Sequence, residues 1–161
     1  MNKNVPLYLI IAGTVLSAVS NSLPWVSMKL DLPGEAMKAP TVNGWDRDGA
    51  IIFAFAVIAL ILSLIKGGQG KKKALSVLIL SAVALLIALY DFISVRNELS
   101  KLEAVWAGLG GGVSVGSGMY LAVVAAAVLT AGAFLLWKAR LSSQASPPPL
   151  PPSGPYVPPP A

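Results

Sequence analysis

The chain has no cysteine and no histidine. Those two absences exclude disulfides, thiolate nucleophiles, structural zinc, histidine-ligated haem and the ordinary imidazole base. The lack of cysteine says nothing about redox compartment. Charge is also scarce: 12% of the 161 residues are charged and 55% are hydrophobic. A soluble domain carries about twice that charged fraction. Charge is missing above all from the middle of four long apolar runs. Intramembrane ionisable groups mark most ion-coupled transporters and proton relays, and mid-span proline breaks mark many transporter sites. The runs have neither, which argues against a monomeric transporter.

What is present is apolar sequence in blocks, the pattern of a chain solvated by lipid. A helix rises ~1.5 Å per residue, so about 20 residues cross a hydrocarbon core of ~30 Å. The runs predict spans at about 5–26, 49–66, 74–91 and 118–137. The fold class expected is an all-α integral membrane bundle of four helices over residues 1–140. A small β-hairpin follows the first span, and a proline-rich tail occupies 141–161.

The first run admits two readings. Ala18-Val19-Ser20 suits signal-peptide cleavage. Alternatively the run is a span, continuing through Pro24-Trp25-Val26, with Trp25 in an aromatic belt. Gly13, Ser17 and Asn21 share one face, a spacing that lets helices approach. Asn21 then either hydrogen-bonds across helices or sits at the outer interface.

In the loop that follows, Val26, Met28, Leu30 and Leu32 alternate with polar residues at strand period. Pro33-Gly34 suits a type II turn, and Ala36 to Val42 can return at an edge, with Pro40 limiting it. Asp46 and Asp48 precede the second span. Either can cap its N-terminus. As a pair they could also hold a cation or act as acid and base.

The second span carries the small pair Ala59 and Ser63, with Phe53 and Phe55 facing lipid or filling a gap. The third carries Ser81, Ala84 and Ala88. The fourth carries the stripe Gly118, Ala122, Ala126 and Thr130, the clearest helix-packing signal in the chain. After Tyr90 the third helix can run on as an amphipathic segment, standing above the membrane or lying on it. Its charges, from Asp91 to Glu103, suit a solvated face with i, i+3/i+4 pairs. Residues 107–118, rich in glycine, fit no dinucleotide motif and read as a flexible connector.

The loop with Lys66, Lys71, Lys72 and Lys73 is no phosphate-binding loop. It reads as a cytoplasmic anchor with affinity for anionic lipid. The net charge of +5 sits mainly there, so a nucleic-acid partner is not expected. Loop charge predicts a multi-pass protein of the plasma (inner) membrane with both termini cytoplasmic. Trp25, Trp45, Tyr90 and Trp137 are the expected interface anchors. The tail, with PPPLPP, is either an inert solubilising segment or a ligand for a cytoplasmic proline-binding partner.

The segments LPWV, GWDRDG, YD and VGSGMYLA, in this span arrangement, resemble a broad group of small four-span (tetraspan) bacterial membrane proteins of actinobacterial type. The proline-rich tail is similar to that of the mycobacterial antigenic-protein-like four-span proteins. A looser similarity, to claudin-like tetraspans, covers only the hairpin in the first outer loop. The resemblance implies architecture and no mechanism. The expectation is a non-enzymatic component of the cell envelope without cofactor or metal, acting in interaction or as a scaffold. The alternative is an oligomeric pore or holin-like protein built from homo-oligomers. An enzyme using Asp46, Asp48 and Asp91 lacks a nucleophile, base or metal set.

Overall fold

The computed structural model describes residues 4–32, 35–38, 41–65, 71–108 and 111–144. Four helices, α1 Val5–Ser22, α2 Gly49–Leu64, α3 Lys71–Gly108 and α4 Ser117–Gln144, carry a small sheet at one end. The strands are β1 Pro24–Leu32, β2 Glu35–Lys38, β3 Val42–Asn43 and β4 Gly111–Val115. Three of the helices, α1, α3 and α4, are long and apolar enough to cross a membrane.

The helix limits correct the expected ones. The first run does not stay helical to residue 26. Leu23 is extended at ψ 156°, because a residue before proline is pushed out of the helical region. Pro24 then opens β1, a strand position that needs no donor. In the second run α2 stops at Leu64 with Ile65 extended. Its 16 residues rise only ~24 Å, so it is the short apolar helix of the set. The third run begins earlier than expected, at Lys71, and the helix runs on past Tyr90 to Gly108, the continuation its amphipathic pattern allowed. α3 is unbroken over 38 residues, with no proline in it. Helix α4 continues through residues 141–144, which the expected tail had included. The rest of the tail lies outside the described residues.

The hairpin forms as expected. β1 pairs antiparallel with β2 from Lys29↔Lys38 to Leu32↔Glu35. Pro33-Gly34 and Pro40 themselves lie outside the described residues. Further along the same edge of β1, β3 pairs through Val26↔Val42 and Pro24↔Asn43, with an irregularity between the two. The opposite edge takes β4, from Val26↔Val115 to Leu30↔Gly111. The glycine-rich segment is therefore not a loose connector. Val113 and Val115 alternate with Gly112 and Ser114, a strand period that the glycines mask.

Two cores result. One lies within the helices, where Ile10, Ala56, Ala59, Val77, Leu129 and Ala133 meet. The other lies under the sheet. There Trp25, Met119 and Ala88 pack with Val95 and Leu99, which belong to the part of α3 that projects beyond the bundle. The amphipathic half of α3 therefore continues the helix without a break, with the sheet against it.

Candidate functional site at the sheet end of the bundle

Three stretches far apart in the chain, LPWV, GWDRDG and VGSGMYLA, meet at one place, with Trp25 at its centre. Trp25 is 1% exposed, and its Nε1 donates to the carbonyl of Ser20 at 3.1 Å. This corrects its expected place in an aromatic belt. A Trp whose N–H is satisfied can be a core residue, and the turn at Leu23-Pro24 folds this one inward.

Glycines from two other segments close on it. A Cβ at Gly44 would stand 2.6 Å from the Trp25 indole and 2.5 Å from Asn21 Oδ1. A Cβ at Gly118 would stand 2.7 Å from the carbonyl oxygens of Ser20 and Leu23. Gly116 donates its N–H to the carbonyl of Trp25 at 2.8 Å, and a Cβ there would collide with the Pro24 carbonyl. Asn21 is buried, and its Nδ2 donates to the carbonyl of Gly49 at 2.8 Å. Of the two readings of Asn21, the cross-helix bond is the one seen.

The two carboxylates expected as caps divide differently. Asp46 Oδ2 accepts from the Asn43 N–H at 3.3 Å, within a capping box on the short 3₁₀ turn Gly44–Asp46. Asp48 occupies the N-cap position of α2 but makes no side-chain cap bond. Its carbonyl accepts from Ile51 at 2.9 Å, and its carboxylate lies beside that of Asp91, with Arg47 the opposing charge nearby. Asp91 is 8% exposed. Its Oδ2 is buried and accepts no hydrogen bond among the described residues. The pair sits at one end of a cleft of about 410 Å³ between α2 and α3, walled by Ile51, Leu86, Ile87 and Tyr90. Among the described residues no group of three metal-ligating side chains forms.

The packing candidates fall on helix interfaces. Gly13 lies against Leu129 of α4, where a Cβ would stand 2.8 Å from the Leu129 backbone nitrogen. Ser17 is buried, with an Oγ unpartnered among the described residues. Ala59, Ser81, Ala84, Ala88, Ala122 and Ala126 are buried, as is Gly118. Ser63 is half-buried and turns its hydroxyl back to Ala59. Thr130 joins α4 to α3, donating within reach of the carbonyls of Ser81 at 3.0 Å and Ala126 at 2.8 Å. Phe55 is half-buried against the sheet-end core, and Phe53 meets Trp45 edge-on at 5.4 Å.

Gly132 was not among the candidates. A Cβ on it would stand 2.9 Å from Leu9 Cβ, so it joins Gly13 and Gly118 as a close contact between α1 and α4. Its signal was an isolated glycine inside an apolar helix, where glycine costs ~1 kcal/mol against alanine without a packing reason.

The other expected anchors are on the surface. Trp45 and Tyr90 are exposed, and Trp137 is half-buried with Phe134 at 6.0 Å. Lys71 and Lys72 are exposed and Lys73 half-buried, at the far end of α3 from the sheet. Lys66 lies outside the described residues. No family model matches the chain, and no curated protein matches it.

Proposed function

We propose that the chain is a non-enzymatic integral membrane protein of the cell envelope, in which all four helices cross the bilayer and the sheet end serves contacts outside the membrane. The observation that carries this is the distribution of side-chain size. Helix interfaces are rich in alanine, glycine and serine around a few large side chains such as Ile10, Ile52 and Leu129, while Ile58, Ile61, Leu75, Ile79, Leu86 and Phe134 face outward and exposed. In water that arrangement would leave a belt of large apolar side chains unburied. In lipid it is the expected one, because small residues let helices approach and large ones meet acyl chains.

Charge supports the orientation. All seven acidic residues belong to the sheet end, whereas Lys71, Lys72, Lys73, Lys138 and Arg140 lie at the other end. The basic end is therefore cytoplasmic, next to anionic lipid, with both termini there. Helix α2 is the short crossing, completed by Trp45 at its outer end. The close seats of Gly13 and Gly132 favour α1 as a retained span over a cleaved leader.

Within that frame the protein acts as a scaffold, and the proline-rich tail engages a cytoplasmic partner. The pore alternative is the weaker reading. Thr14 and Thr130 turn their hydroxyls to carbonyls of neighbouring helices, leaving less to line a lumen. Crosslinking in membranes, with and without residues 146–161, tests both. Loss of a recurrent partner on deletion supports the scaffold. An unchanged partner set removes the tail from it, and a self-crosslinked ring that releases dye from liposomes replaces it with the pore.

A further inference from the structure

We propose that the cleft between α2 and α3 seats one membrane lipid with a primary-ammonium headgroup, its ammonium between Asp48 and Asp91 and an acyl chain along Ile51, Leu86 and Ile87. The inference rests on the membrane assignment above and adds a ligand to it.

The first argument is the orphaned oxygen. A buried carboxylate oxygen without a donor bears its full desolvation penalty with nothing to offset it, and native proteins rarely keep one without a reason. Asp91 Oδ2 is such an atom, and it lies on the cleft wall. The second argument is charge. Asp48 and Asp91 lie within hydrogen-bond reach of one another, and the cation beside them, Arg47, is shared with Glu98 at 4.0 Å. The site therefore has an excess of negative charge at the cleft wall for a cation that donates hydrogen bonds.

The third argument chooses the occupant. Calcium takes six to eight oxygen ligands, and two carboxylates are too few for such a site. A soluble amine would not need the remaining walls, which are Ile51, Leu86 and Ile87. Leu86 and Tyr90 are largely exposed at the cleft mouth, so the cleft opens sideways, into the bilayer. A volume of about 410 Å³ is in the range of small-molecule sites. A lipid meets both ends at once: apolar chain below, ammonium above. A primary ammonium also has three N–H donors, whereas a choline has none.

The test uses the full chain in vesicles of matched acyl composition, with phosphatidylethanolamine, phosphatidylcholine or phosphatidylglycerol, followed by native mass spectrometry of retained lipid. The expected result is roughly tenfold preferential retention of phosphatidylethanolamine, the order of one charge-assisted hydrogen bond. Asp91→Asn and the double variant Asp48→Asn/Asp91→Asn should lose that preference. Leu86→Trp, which fills the cleft from its exposed rim and keeps both carboxylates, should lose it too. Equal retention of the three lipids, or a preference that survives these changes, overturns the inference. Flotation of the same samples reads the membrane assignment separately. Protein that floats but shows no preference overturns only the lipid site, and protein that does not float overturns both.

Discussion

The Asn21 side-chain amide donates to the carbonyl oxygen of Gly49, 2.8 Å away and 28 residues along the chain. The same Asn21 presents its Oδ1 where a Cβ of Gly49 would have to stand. The Asn21 side chain thus fits only because residue 49 has no Cβ. The bond fixes the end of α1 to the start of α2. Asn21→Leu should lower thermal stability in detergent by about 1–3 kcal/mol. Gly49→Ala should cost at least as much, since it displaces both Asn21 and the Gly44 carbonyl. The double variant should cost less than the sum, because the two changes remove one shared contact.

Asp46 and Asp48 should separate cleanly on mutation. Asp46→Ala removes a cap and should cost about 0.5–2 kcal/mol. Asp48→Ala removes no cap bond; it relieves Asp91 of a like charge and also removes the hydrogen bond between the two side chains. The two effects oppose one another, so its thermal midpoint should change little. A loss equal to that of Asp46→Ala would show Asp48 to be the cap after all.

The α1–α4 contact is set by backbone proximity. Gly132→Val places a branched side chain where Leu9 Cβ and the Pro6 carbonyl already stand, 2.9 and 3.0 Å from a Cβ. Overpacking of this kind costs typically 1–3 kcal/mol. The midpoint should fall, and crosslinking between α1 and α4 cysteine pairs should slow. If α1 is removed as a leader, Gly132→Val should have no effect on the mature protein, and intact mass would show the missing segment.

Thr130→Val is nearly isosteric and removes the bond to the Ser81 carbonyl. Interhelical hydrogen bonds in membranes average ~0.6 kcal/mol and reach ~1.7, so a loss of about 1 kcal/mol is expected in reversible unfolding. Thr14→Val, which also loses a bond to the Ala56 carbonyl, should behave alike.

Much of the helical layout was legible because it is written in composition. Apolar runs long enough to cross lipid, and small residues at four-residue spacing, depend only on local sequence. The hairpin was legible for the same reason, through period-two alternation. What was not legible depends on partners far along the chain. Trp25 looked like a belt residue because an interfacial Trp and a core Trp have the same local surroundings. Asp48 looked like a cap because capping is the commonest use of that position, while Asp91 is 43 residues away. The Gly111–Val115 strand was hidden because glycine lowers strand propensity, and β1 supplies the missing stability through pairing. The convergence of LPWV, GWDRDG and VGSGMYLA required the fold itself.

Helix α3 has neither proline nor an internal glycine from Lys71 to Ala107, so it has no residue at which to bend sharply. At ~1.5 Å per residue its 38 residues make a rod of ~57 Å. The sheet rests on one end of that rod, the lysines lie at the other, and Asp91 is near the middle. A sideways load on the sheet therefore cannot be absorbed at a hinge. It is passed along the helix toward the lysine end as tilt.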